Sequence, residues 1–179
     1  MHRPLLALGI GALALGLSSA AAAAGKAHEH GALRLDVAVE ATSVTLQLQA
    51  PLDSLVGFER APRTEAERQR VDQALARLKA AAQLFRVDPK GQCTAGPVLL
   101  TSGVLKLGDA PPPPDVGDHA ELEAGYRFDC RSATDAAFID HGLFEAFARA
   151  QRIDVQIAGP KGQARRGLKR PAARIGLAR

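Results

Sequence analysis

His28 and His30 stand one residue apart in Lys26-Ala27-His28-Glu29-His30-Gly31. Side chains two apart on an extended chain project to the same side. Two imidazoles so placed can grip one Zn²⁺, with Zn–N distances of about 2.0–2.1 Å. His119 and Glu121 repeat that spacing with an imidazole and a carboxylate. His28, His30, His119 and Glu121 together make a nitrogen and oxygen set suited to zinc, provided their two segments are neighbours in space. The competing reading is that a histidine pair near a chain start is solvated and holds nothing. His141, in Asp140-His141-Gly142, reads as a surface or capping histidine.

Other chemistries find little support. No G-x-S-x-G stretch is present, and neither standard phosphate-cradling glycine pattern occurs. The chain has two cysteines, Cys93 and Cys130, so a bridge between them leaves no thiol nucleophile. The carboxylate pairs Glu121/Glu123 and Glu65/Glu67 sit at spacings that read as solvated faces. These observations point away from an enzyme.

The segments that must position the histidines begin after a leader. Met1-His2-Arg3 is a short basic start, Pro4 to Leu17 is apolar, and serines and alanines with A-x-A patterns follow. This is the pattern of a secretory signal peptide over residues 1–24, and its apolar run is shorter than the ~20 residues of a membrane span. Residues 25–179 then suffice for one domain with one core. Export favours a disulfide between Cys93 and Cys130 over two separate buried thiols.

Between the cysteines the chain reads as two strand-like flanks, Val98 to Leu107 and His119 to Cys130, around Pro111 to Pro114. Prolines cannot donate ladder hydrogen bonds, so they form the loop of a hairpin whose symmetric flanks bring the cysteines opposite each other. The bridge encloses 38 residues counting both cysteines. A loop of this size stabilises by about 3–4 kcal/mol on the chain-entropy account.

Leu33, Leu35, Val37 and Val39 alternate with Arg34, Asp36, Ala38 and Glu40, and Val44, Leu46 and Leu48 continue the pattern after a short turn. This predicts a hairpin of two half-buried strands. Extending the first strand backwards puts His28 and His30 on the polar face with Arg34 and Asp36. Leu52 to Arg63 reads as an irregular connection. Thr64-Glu65-Ala66-Glu67 is a capping box, and Val71, Ala74, Leu75, Leu78, Ala82 and Phe85 follow at helical spacing. A helix of about five turns is predicted, ending before Pro89. Asp135 to Ala148 reads as part extended and part short helix. Arg152 to Ala158, Gln163 to Lys169 and Arg174 to Leu177 read as strands. The expected fold class is α+β: an antiparallel sheet of six or seven strands built from hairpins, covered by one long amphipathic helix, with one disulfide.

Charge is uneven along the chain. Gly25 to Ala148 holds 13 basic and 18 acidic residues, whereas Arg149 to Arg179 holds nine basic residues and one acid, Asp154. The basic residues alternate with Ile153, Val155, Ile157 and Leu168, as the solvent side of strands does. No aromatic residue follows Phe147, so the stacking platforms of nucleic-acid readers are missing. No nucleic-acid partner is expected.

Four stretches carry a resemblance. They are His28-Glu29-His30-Gly31-Ala32-Leu33, then Leu55-Val56-Gly57-Phe58-Glu59 with Ala61-Pro62-Arg63-Thr64, then His119 to Cys130, and Leu143-Phe144-Glu145-Ala146-Phe147 with a Val-Gln strand and Gly162-Gln163. In this order they resemble a Gram-negative periplasmic family of unknown function that includes the zinc-regulated ZrgA proteins. The resemblance implies a periplasmic protein that binds zinc and assists a high-affinity zinc ABC transporter. Members typically carry a long His/Asp/Glu-rich loop in the central hairpin, where this chain has GDAPPPPDVGDH. They often have His after L-V-G-F-E, where this chain has Arg60.

Two functions are therefore expected in competition. One is a non-enzymatic periplasmic metal-binding protein, with His28, His30 and His119 as zinc ligands and Glu121 or water completing the shell. The other is a metal-free envelope protein-interaction module that keeps the fold.

Overall fold

The computed structural model describes residues 30–109 and 120–177. The leader, His28, the tetraproline tip and His119 lie outside the described residues.

Strands β1 (Ala32–Val39) and β2 (Ser43–Pro51) form the expected antiparallel hairpin, with Leu35 opposite Leu48 and Val37 opposite Leu46. The alternation is realised as burial, since Leu33, Leu35, Val37, Val44, Leu46 and Leu48 all face the core. Ser43 closes the turn by donating to Glu40 Oε2 at 2.8 Å.

Strands β4 (Cys93–Thr101) and β5 (Glu121–Cys130) pair antiparallel with Cys93 directly opposite Cys130, and the two are joined by a disulfide with Cα atoms 3.9 Å apart. The pairing is not symmetric throughout. The register shifts between Ala95 and Val98, where Pro97 removes a ladder donor and the strand bulges. The first flank also ends earlier than its sequence suggests. After Thr101 the chain turns back, with Ser102 bridging Leu107. Gly108 sits at φ 61° in that turn, and a Cβ there would lie 2.8 Å from Thr101 Cγ2.

The remaining strands correct the expected topology. Six strands form one sheet in the order β4-β5-β2-β1-β7-β8, with β7 at Arg152–Gly159 and β8 at Gly162–Lys169. β7 runs parallel to β1, placing Leu33 beside Ile153 and Leu35 beside Val155, so the sheet is mixed rather than antiparallel. A parallel neighbour requires a long crossover, and the chain between β2 and β7 supplies one. A second sheet of three strands, in the order β3-β6-β9, contains β3 (Phe85–Val87), β6 (Phe138–His141) and β9 (Arg174–Gly176). The described residues thus hold nine strands in two sheets, against six or seven expected in one.

The helical expectation is also shortened. Helix α2 (Glu65–Lys79) has 15 residues, about four turns at 3.6 residues each. Its capping box is present: Thr64 Oγ1 accepts from the Glu67 N–H, and Glu67 Oε2 accepts from the Thr64 N–H. It ends at Ala80 (φ −82°, ψ 59°), and α3 (Ala81–Leu84) leads into β3. Phe85, expected on the helix stripe, is instead a strand residue buried edge-on against Tyr126, with ring centroids 4.9 Å apart. Burial of an aromatic ring in the core outweighs a few tenths of a kcal/mol of helix propensity.

Consequently α2 does not cover the sheet alone. It contributes the narrow buried stripe Val71, Ala74 and Leu78. The layer facing the six-stranded sheet combines the three-stranded sheet with α2, α3, α1 (Leu52–Val56) and α4 (Leu143–Ala146), and the apolar residues join in one core cluster. Helix α1 occupies part of the segment expected to be irregular.

A candidate metal site at one sheet end

The register brings three chain segments to one end of the larger sheet. Arg34 stands opposite Gln49, and Gln49 stands opposite Glu123. Two residues towards the sheet end, Pro51 stands opposite Glu121. The start of β1, the end of β2 and the start of β5 are therefore side by side. With strands about 4.8 Å apart, the backbones of Ala32 and Glu121 are roughly 10 Å apart. The Leu52 N–H donates to the Ala120 carbonyl at 2.8 Å, tying the chain after β2 to the entry of β5. His119 directly precedes Ala120, and His28 precedes His30 by two.

His30 is placed by the residue after it. Gly31 has φ 79°, and a Cβ there would lie 3.2 Å from the Arg149 carbonyl. Glycine alone adopts this left-handed conformation without cost. The Gly31 N–H donates to Ser54 Oγ at 3.0 Å, and its carbonyl accepts from the Gln151 and Arg152 N–H groups. Ser54 is itself fully buried. This anchored turn breaks the strand alternation before it reaches His30. His30 therefore does not continue the polar face of Arg34 and Asp36, as the period-two pattern had implied. It swings to the loop after α1, where its Nε2 lies 3.1 Å from Glu59 Oε1.

Glu59 is held from both sides. Before it, α1 ends at Gly57, whose φ of 89° lets its N–H reach the Asp53 carbonyl at 2.9 Å. Arg149 reinforces this turn, donating from Nε to the Asp53 carbonyl at 2.9 Å and from Nη2 to its carboxylate at 3.0 Å. After it, Arg60 makes a two-pronged pair with Glu67, at 2.9 and 2.7 Å, and its guanidinium lies over the Phe58 ring at 5.2 Å. Glu67 also accepts from the Arg63 N–H at 2.6 Å. The Arg60 guanidinium, with the Arg63 N–H, pulls the Glu67 carboxyl down to about 2. Glu67 is thus enclosed, unlike the solvated acid its spacing suggested, whereas Glu65 is exposed as expected.

Of the sequence-derived ligands, His30 and Glu121 fall among the described residues. Both lie at this sheet end, His30 exposed and Glu121 half-buried. Glu59 was not singled out as a ligand: it lies 29 positions from His30, and no periodicity links them. The L-V-G-F-E stretch was the only available sign. Among the described residues no three His, Cys, Asp or Glu side chains gather around one point. The described part of the site supplies one imidazole against one carboxylate, a nitrogen and an oxygen donor of the kind zinc accepts.

His141 belongs elsewhere. It is buried, its Nδ1 accepts from the Leu143 N–H at 3.3 Å, and its ring lies edge-on to Phe144. It caps α4 from the core rather than from the surface. Burial holds its pKa below the ordinary histidine value. The basic end of the chain is likewise used internally. Arg170 donates to the carbonyls of Phe144, Phe147 and Ala150, and Arg174 pairs with Asp140 at 2.6 Å.

A two-sheet α+β domain, clasped by one disulfide and gathering histidine and carboxylate at one sheet end, is the class that the fold and site define. The chain belongs to the ZrgA family of zinc uptake proteins, which matches residues 27–177. That membership connects it with zinc uptake. No curated protein matches the chain. Among the described residues no helix is long and apolar enough to cross a membrane.

Proposed function

We propose that this chain is a non-enzymatic, periplasmic zinc-binding accessory of zinc uptake, exported by residues 1–24 and working as one domain over residues 25–179. His30 is one ligand, joined by His28 and His119, with Glu59 or Glu121 supplying oxygen. The observation that carries this reading is the contact between His30 and Glu59 at the sheet end where β5 begins, one residue past Ala120. The start of β1, the loop after α1 and the start of β5 bring His30, Glu59 and Glu121 to that end. The family's connection with zinc uptake supports zinc as the ion. The partner is a zinc ABC transporter or its binding protein, to which the chain passes its ion.

Titration calorimetry of the mature chain with Zn²⁺ tests the reading. One ion should bind tighter than about 10 µM near neutral pH, and weaken as imidazoles protonate around pH 6–6.5. Binding unchanged in a His28→Ala/His30→Ala/His119→Ala variant would sink it.

A second reading is a metal-free envelope interaction module. It is favoured by Arg60, which stands where the family often has His and is committed to Glu67. Capture of a periplasmic partner that persists in EDTA, together with no zinc uptake by calorimetry, would favour it.

A further inference from the structure

The outer face of the six-stranded sheet, away from the core, is curved into a concavity of about 710 Å³. This lies within the range of roughly 300–1,000 Å³ typical of ligand sites. One row of residues crosses it, each opposite the next: Leu99, Gly125, Gln47, Asp36, Gln156 and Arg165. The face does not include His30 or Glu59, so it is separate from the sheet-end site.

Asp36 Oδ1 is buried, and among the described residues no donor reaches it. Two strands away, Arg165 is exposed and pairs with no carboxylate among the described residues. Elsewhere on this face Arg127 pairs with Asp129 at 2.8 Å and Arg152 with Asp154 at 3.1 Å. Strand spacing keeps the Asp36 and Arg165 backbones about 10 Å apart, with Gln156 between them.

We propose that this concavity binds a short peptide laid across the strands, its α-ammonium on Asp36 and its terminal carboxylate towards Arg165. The two charges rise from backbones about 10 Å apart, a span that three extended residues at about 3.3–3.6 Å each cover. Gln47 and Gln156 carry amides that can donate to and accept from peptide groups between the two ends. The Gln47 amide lies over Gly125, where a Cβ would be 3.1 Å from Gln47 Oε1. Leu99, 72% exposed, offers an apolar rim on that side for a peptide side chain. Ala38 and Ala158 line the concavity without filling it.

The test is calorimetry of the mature chain in EDTA with trialanine as probe. Saturable one-site binding is expected, weakened about tenfold or more by Asp36→Asn and by Arg165→Gln, as loss of a charge-assisted contact implies. N-acetyl-trialanine should bind no better to the wild type than trialanine does to Asp36→Asn. Absence of saturable binding overturns the proposal. So does equal binding of the acetylated probe, equal binding of free alanine, or an affinity unchanged in either variant. Thermal melts check folding, and Arg165→Gln, at an exposed position, decides alone if Asp36→Asn melts early.

Discussion

His30 Nε2 and Glu59 Oε1 lie 3.1 Å apart although 29 residues separate them in the chain. The contact exists because two turns face each other: Gly31 redirects the chain before β1, and Gly57 redirects it after α1. Both side chains reach solvent, at 61% and 25% exposure, so an ion can approach them.

Replacing either partner should therefore weaken zinc binding without unfolding the domain. For His30→Ala and Glu59→Gln the expected loss is about tenfold or more in affinity, since each removes one ligand. The melting temperature without metal should move little, because exposed pairs contribute at most about 1 kcal/mol. Calorimetry and thermal melts on the same samples check this. Full zinc affinity in both variants would remove His30 and Glu59 from the site.

Arg149 tests positioning. It touches no proposed ligand directly but fixes the Asp53 turn that leads to Glu59. Arg149→Ala should reduce zinc affinity several-fold, while the pair itself contributes about 1 kcal/mol or less to stability. Arg149→Lys should restore little, because a single ammonium cannot reproduce the fork that reaches carbonyl and carboxylate together. Faster amide exchange at Gly57 in both variants is the structural readout.

Glu67 sets an acid limit. Its folded pKa is depressed to about 2 from an ordinary 4.5, first by Arg60 and then by the Arg63 N–H. A depressed carboxyl stabilises the fold above its unfolded pKa, and that stabilisation is lost as pH falls towards the folded value. The melting temperature should thus decline between pH 4.5 and about 2, and Glu67→Gln should flatten that part of the curve. Parallel wild-type and variant curves across this window would contradict the assignment.

The disulfide tests the clasp. A Cys93→Ala/Cys130→Ala variant should lose about 3–4 kcal/mol in urea unfolding, with the larger sheet retaining its strands. The effect follows from the 37-residue separation that the bridge closes. A loss under about 1 kcal/mol would mean that the unfolded chain is already compact across this loop.

Local physics made much of this fold readable in advance. The β1–β2 alternation, the Thr64–Glu67 box, the Cys93–Cys130 pairing and the β7–β8 hairpin each depend on residues near in sequence or on one covalent bond. Such signals carry their own geometry, because side-chain period and capping chemistry act within a few residues. The sequence alone also named His30 and Glu121 as candidate ligands by residue type, and the fold sets both at one end of the larger sheet.

Tertiary structure decided the rest. The parallel seat of β7 beside β1 and the removal of Phe85–Val87 from the helix to a second sheet depend on which distant strand offers buried partners. Gly31 shows the limit most plainly: its φ of 79° ends the alternation that would have carried His30 to the outer face. A one-residue break in a period-two pattern reverses the side-chain direction, and no local signal announces it. That break turned His30 from the row of Asp36 to the loop of Glu59, and so decided which carboxylate faces the imidazole.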